Sequence, residues 1–271
     1  MATRISMRQL MAAGRRIESG SSELKLRKNP LAGINRSYFS KYQGHRLFIK
    51  ECENNGSGNM EVGFYNLNKL FNFNIVPKTV LVKKDIIWRN RTRTVPVVVQ
   101  EFVKGPTLSK IIDDKHKVDL NNSEELSEWV FLDYIYSCHD RHDQNIIIEG
   151  KLNPPKLWLI DNGHSLSLNK RWNTRSFSTL KNNFSISILK TLSRKTVKKI
   201  NKVIESINHK PFSKIWEKKF ITLLKKNVIV TKNTNCLSQQ YGDLSSLIKS
   251  VDRLKNLYDN NFKITRSMWV R

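Results

Sequence analysis

The sequence predicts an α+β fold in two lobes, a β-rich first lobe with one main helix and a helical second lobe. Three patterns carry this expectation. Runs of strand-like alternation are concentrated before Gly105, apolar residues recur at helical spacing from Val197 onward, and no apolar stretch nears the eighteen residues of a membrane span. At 271 residues with 39% hydrophobic content, the chain is long enough for two lobes with their own cores and too short for a further sizeable domain beside them.

Taken in order, residues 1–29 form a basic segment. Arg4, Arg8, Arg15 and Arg16 precede the first acid, Glu18, among Met, Leu, Ala and Ile. This is expected to be an amphipathic helix packed on the first lobe, although its composition overlaps with targeting and membrane-surface segments. The first lobe is assigned to 30–104. Tyr38 to Tyr42 and Arg46 to Lys50 alternate like two strands around Gln43-Gly44-His45. Gly56-Ser57-Gly58 reads as a flexible connector, after which Glu61 opens a helix with Phe64, Leu67, Leu70 and Phe71 on one face and Pro77 beyond its end. Val95 to Phe102 is a β-branched run that closes the lobe before Gly105-Pro106.

The second lobe is assigned to 105–271. Ile146-Ile147-Ile148 and Leu157-Trp158-Leu159-Ile160 read as a short antiparallel pair around Pro154-Pro155, bringing Asn145 and Asp161 to one end. Three helical stripes follow. The first is Val197, Ile200, Val203, Ile204 and Ile207; the second is Ile215, Trp216, Phe220, Leu223 and Leu224; the third is Leu244, Leu247, Ile248, Val251, Leu254 and Leu257.

The chemistry is concentrated in His139-Asp140-Arg141-His142-Asp143-Gln144-Asn145 and, further on, Asp161-Asn162-Gly163-His164. An Asp, an Asn five residues later and a second Asp ending an apolar run suit phosphoryl transfer. One carboxylate orients the acceptor hydroxyl, while the Asn and second Asp hold Mg²⁺ against the ATP phosphates. These two motifs resemble the catalytic and metal-binding loops of the phosphatidylinositol 3-/4-kinase-like superfamily, which carries Asp-Arg-His-x-x-Asn and Ile-Asp-x-Gly-His. Asn162 stands where many members have Phe.

The resemblance implies a bilobal protein-kinase-like fold, with ATP and Mg²⁺ (or Mn²⁺) as cofactors. It implies Asp140 as the catalytic Asp, His142 as support for the acceptor or transferred phosphate, and Asn145 and Asp161 as metal ligands. Lys50 would contact the α- and β-phosphates and Glu61 would position it. Ser37, with Arg36 and the backbone after Gly33, would face the phosphates. The hinge reading adenine would lie at Gln100, Glu101, Phe102 and Val103. Arg141 is expected to brace the loop through a carboxylate or backbone carbonyls, and His139 and His164 to hold the two loops by hydrogen bonds. Asp143 is either a plain loop acid or an aid to substrate recognition, and His45, His116 and His209 are read as structural.

Forty-eight Lys and Arg against 23 acids give a net charge of +25. From Ser165 to Arg271 there are 23 basic and 5 acidic residues, so most of the excess lies in the second lobe. Such a surface attracts anionic lipid, nucleic acid or acidic protein. The three cysteines, Cys52, Cys138 and Cys236, lack metal-site spacing and fit buried, reduced thiols of a soluble cytoplasmic protein. Membrane-surface association or translocation into another cell are the alternatives. Oligomeric state is not written in the pattern.

The expected activity is a protein serine/threonine kinase. The alternatives are a phosphoinositide lipid kinase, for which Lys170, Arg171 and Arg175 between Ser165 and Ser178 would grip headgroup phosphates, and a non-catalytic pseudokinase scaffold for polyanions. A His-Asp phosphohydrolase built on His116, His139, Asp140, His142 and Asp161 is disfavoured, because such sites are built from helices and these motifs adjoin strand-like runs.

Overall fold

The computed structural model describes residues 4–20, 25–28, 36–52, 55–88, 91–114, 124–136, 138, 140–150, 156–163, 191–227 and 244–264. Helix α1 (Met7–Glu18) precedes a five-stranded antiparallel sheet made of β1 (Arg27–Lys28), β2 (Ser37–Tyr42), β3 (His45–Glu51), β4 (Thr79–Trp88) and β5 (Arg91–Glu101). Their order across the sheet is β1-β2-β3-β5-β4, with α2 (Asn55–Leu70) inserted between β3 and β4. There follow α3 (Leu108–Asp113), α4 (Glu124–Tyr136), a 3₁₀ turn at Asp143–Asn145 and the hairpin β6 (Ile146–Glu149) and β7 (Lys156–Leu159). Helices α5 (Arg194–Glu205), α6 (Lys214–Asn227) and α7 (Leu244–Asp259) complete the helical half. This is the expected α+β arrangement, a sheet-rich N-terminal part followed by a helical one.

Strand alternation decides which helix each side chain meets, because successive residues point to opposite faces of a sheet. Leu47 and Ile49 of β3 and Val95, Val97 and Val99 of β5 form a buried cluster with Ile5, Leu10, Ala13 and Ile17 of the α1 segment. Lys50 takes the opposite face, towards α2. The sheet is therefore held between two helices, and a glycine on each admits a β4 side chain. A Cβ on Gly14 would meet Val82 at 2.9 Å, and one on Gly58 would meet Leu81 at 2.6 Å. The basic N-terminal helix is thus part of the first lobe's core. Arg4, just before it, reaches Glu149 at 2.6 Å and lies over the Trp158 ring.

The β2–β3 hairpin has the expected boundaries within one residue. Gln43 and Gly44 both have positive φ, 47° and 80°, the two-residue turn whose twist suits the flanking strands. Helix α2 departs from expectation. It begins at Asn55, so Gly56-Ser57-Gly58 is helical and not a connector. Gly58 lies where a side chain would strike β4, so close helix–sheet packing outweighs the poor helix propensity of glycine.

The other side of α2 belongs to the larger core, which runs through α4 and the later helices. Phe64 meets Tyr136 edge-on at 5.5 Å, and Phe71 meets Phe131 at 4.8 Å. Asn68 braces the exit from α2 by donating to the Phe73 carbonyl and accepting from the Ile75 N–H. The Ile75 carbonyl in turn accepts from the Leu159 N–H at 2.7 Å, joining this loop to β7.

All three later stripes form helices, with two corrections: Ile215 and Ile248 are exposed, not buried. Helix α4, central and apolar on every side, holds two buried acids. Glu128 pairs with Lys199 of α5 at 2.6 Å. Burial is the largest influence on Glu128 and pushes its pKa up to about 6. Lys199 is more exposed; burial lowers its pKa, but its bonds to Glu124 and Glu128 outweigh that and raise it. Because Glu128 lies above its ordinary value of 4.5, its share of stability is fully present below pH 4.5 and lost as pH rises through about 6. That share is about 2 kcal/mol. Unfolding titrations at pH 4.5 and 6.5 should show it in the wild type, and Glu128→Gln should remove that part of the pH dependence.

The segment after β5 is clamped to β6. Ile148 N–H donates to the Pro106 carbonyl, and Thr107 bridges Ile147. A Cβ on Gly105 would sit 2.0 Å from the Ile148 carbonyl oxygen. Gly105→Ala is therefore expected to cost about 1–3 kcal/mol in chemical denaturation.

Candidate active site

Lys50 stands near the end of β3, opposite Val98 of β5, with its side chain towards α2. Its Nζ lies 3.4 Å from Glu61 Oε1 and also pairs with Asp161 Oδ1. The second Glu61 oxygen accepts the backbone N–H of Asn162 at 2.9 Å. Burial works against the Lys50 charge, yet Glu61 and Asp161 overcome it and hold the ammonium above its usual range. Glu61, 2% exposed, is raised chiefly by burial and further by Asp161, against the lowering effect of Lys50. Two carboxylates thus share one ammonium. Cys52, two residues on, is pushed up to about 12, first by burial and then by Glu61, which leaves it an unreactive thiol.

The second cluster is built on Arg141, which is fully buried. Its Nε and Nη2 bond to Asp133 of α4, and its Nη1 donates to the carbonyls of Asn145 (3.3 Å) and Ile160 (2.7 Å). Its Nη2 also donates to Asn162 Oδ1. Burial alone would lower the guanidinium, but Asp133 more than compensates and its pKa is raised. Arg141 thereby fastens together the loop before β6 and the loop after β7. Their backbones are bonded directly as well, Ile160 N–H to the Asn145 carbonyl at 3.0 Å.

Asn145 Nδ2 donates to the Asp140 carbonyl at 2.9 Å and contacts His142 Nε2 at 3.1 Å. The side-chain nitrogen is spent, leaving Oδ1 as an acceptor at the head of β6. Asp161, one residue past the Ile160 bond, has φ 54°, a left-handed conformation that Asp tolerates better than most residues. Its carboxylate is 41% exposed. Asn145 and Asp161 are therefore held at the same end of the hairpin. An amide oxygen and a carboxylate are hard donors of the kind Mg²⁺ takes alongside phosphate and water.

At the other end, Ser37 is buried and in register with Lys50. In the segment expected to read adenine, Gln100 turns its amide to Thr79 at 2.9 Å, and Glu101 lies 3.9 Å from Lys78. Glu101 N–H donates to the Lys78 carbonyl and Phe102 N–H to the Arg46 carbonyl. Among the described residues nothing accepts from the Val103 N–H, so it is the amide of that segment left for a ligand.

Lys50, Glu61 and Asp161 are brought into direct contact, and Asp140, His142 and Asn145 form a neighbouring group joined to them through Arg141 and Asn162. Gly33, His116, His139, His164, Cys236 and the stretch 165–178 lie outside the described residues. Sequence reading missed two members. Asn162 links Glu61 to Arg141 through its backbone and side chain, where a Phe could offer only the backbone. Asp133 had a legible signal, as the lone acid in the apolar stretch Trp129 to Tyr136. Gly163 lies close under α2, since a Cβ there would meet Ser57 Oγ at 2.5 Å.

No family model matches the sequence, and no curated protein matches it. Among solved structures, a double mutant of the PknI kinase domain of Mycobacterium tuberculosis superposes with TM-score 0.33 and 9% identity. That superposition covers 52% of this chain and 59% of the PknI chain, less than two thirds of its length. WaaP in complex with acyl carrier protein gives TM-score 0.36 and 13% identity, over 78% and 90% of the two chains. The Helicobacter pylori proinflammatory kinase CtkA gives 0.37 and 15%, over 86% and 97%. Scores this low assign the chain to none of these groups.

Proposed function

We propose that this chain is an ATP-dependent phosphotransferase that moves the γ-phosphoryl group to a hydroxyl, with serine or threonine of a protein as acceptor. The observation that carries the reading is the Lys50–Glu61–Asp161 contact, with Asn145 fastened beside it by Arg141 and bonded in turn to the Asp140 carbonyl. Phosphoryl transfer requires positioned charge more than covalent chemistry by the protein, and these residues supply it. Lys50, held cationic between two carboxylates, neutralises the α- and β-phosphates once a nucleotide draws it forward. Glu61 keeps that ammonium in place. Val103 N–H reads the adenine edge, and Ser37 lies on the phosphate side of the same sheet face.

Asp161 and the free Oδ1 of Asn145 would hold Mg²⁺, which when bound neutralises phosphate charge and fixes the phosphate geometry. Asp140 orients the acceptor hydroxyl. His142, partly exposed and against Asn145, stands where it can hydrogen-bond the acceptor or the transferred group. No helix among the described residues is long and apolar enough to cross a membrane.

The test is incubation of the purified chain with Mg²⁺ and γ-labelled ATP, alone, with a protein mixture and with phosphoinositide vesicles. An Asp161→Asn variant runs alongside. Label on protein, absent with the variant, supports the reading; label on lipid alone moves the acceptor to phosphoinositide. Equal labelling by the variant would overturn the site assignment.

A further inference from the structure

Helix α5 carries two groups of charge on different faces. Lys195 and Lys199 are paired with Glu124 and Glu128 of α4. Arg194, Lys198 and Lys202 form a separate row, each four residues from the next, exposed and without an acidic partner among the described residues. They line a cavity of about 660 Å³ together with Thr191, Leu192, Val197, Asn201, Glu205 and Asn261. Asn201 Oδ1 is buried there and has no hydrogen-bond partner among the described residues. A buried acceptor left unpaired is unfavourable, so a ligand that brings a donor gains by filling the groove.

We propose that this groove docks an extended acidic segment of a partner protein. On a helix, side chains four residues apart are spaced by about 6 Å along the axis. Alternate side chains of an extended peptide are about 6–7 Å apart, so acids at every second position match the row of cations. The peptide backbone also supplies the N–H that Asn201 needs, which the phosphodiester backbone of a nucleic acid does not. Leu192 and Val197 give an apolar floor for the intervening side chains. Glu205, exposed beyond Lys202, ends the acidic requirement and favours a neutral or basic residue there. None of these residues belongs to the Lys50 or Arg141 clusters, so docking is measured without phosphotransfer and stands or falls apart from the activity proposed above.

The experiment uses the full chain and a fluorescein-labelled decapeptide of alternating Glu and Ala, followed by anisotropy at physiological salt. A single-stranded oligonucleotide and phosphatidylserine vesicles are run in parallel. Lys198→Glu with Lys202→Glu should weaken peptide binding by about tenfold or more, since like charges then face each other. Lys225→Glu with Lys226→Glu, the same charge change at exposed positions on α6, should alter it by no more than about twofold. Asn201→Ala should weaken it, and none of the three variants should melt below the wild type. Equal loss with both charge pairs would reduce the effect to general charge and overturn the proposal. So would absence of peptide binding by the wild type, or tighter groove-dependent binding of the oligonucleotide or vesicles.

Discussion

Arg141→Met is expected to lower the unfolding free energy by about 3–5 kcal/mol, the largest stability effect of any single substitution in the site. The guanidinium is fully buried and serves two carbonyls, one side-chain amide and one carboxylate. Removing it leaves Asp133 charged in the core without its guanidinium, while Trp129 Nε1 still donates at 2.6 Å. It also releases the Asn145 and Ile160 carbonyls from their common donor. Most of the loss comes from the uncompensated carboxylate, so adding Asp133→Asn to the Met variant should restore part of it. Urea titrations of the two single variants and the double variant measure the coupling. Additive effects would mean that the pair is not held as described.

Asp161→Asn is expected to act in the opposite sense on the two properties of the chain. Transfer of labelled phosphate should fall by about a hundredfold to a thousandfold, as for loss of a principal electrostatic group. Stability should be unchanged or slightly higher. Asn occupies the left-handed region at least as readily as Asp, so φ 54° suits it. The substitution also removes one of the two carboxylates that compete for Lys50, and with it a charge that raises Glu61. Thermal melting and phosphotransfer measured on one sample test both halves. A large fall in melting temperature would make Asp161 a structural residue first.

What was legible in the sequence was what local pattern dictates. Tyr38–Tyr42 and Arg46–Lys50 alternate, with Gln43-Gly44 between them, and the hairpin forms there. Lys50, Asp140, Asn145 and Asp161 were singled out by residue type, spacing and the family resemblance; the structure pairs Lys50 with Asp161 and bonds Asn145 to the Asp140 carbonyl. Arg141 was expected to brace the loop, and it does.

Long-range packing hid the rest. Asn55 to Gly58 reads as a loop by propensity, and becomes helix because β4 presses against Gly58. Strand β4 has too many charges in Lys83-Lys84-Asp85 to announce itself, and is fixed by pairing with β5 along its whole length. Helix α4 is apolar all round, so no stripe separates it from a buried strand. The bond from Asn162 to Arg141 spans 21 residues of sequence and follows no local rule.

Helix α2 has one face against the sheet and the other inside the core of the helical half, with Asn66 bonded to the last carbonyl of α6. An element shared in this way leaves neither half a complete interior of its own. The two lobes should therefore melt in a single transition, with calorimetric and van't Hoff enthalpies in agreement, as for a one-domain protein. Amides of α2 should exchange with solvent only as slowly as global unfolding allows. Severing the chain between the lobes would then yield not two small folded proteins but two fragments, each missing a wall.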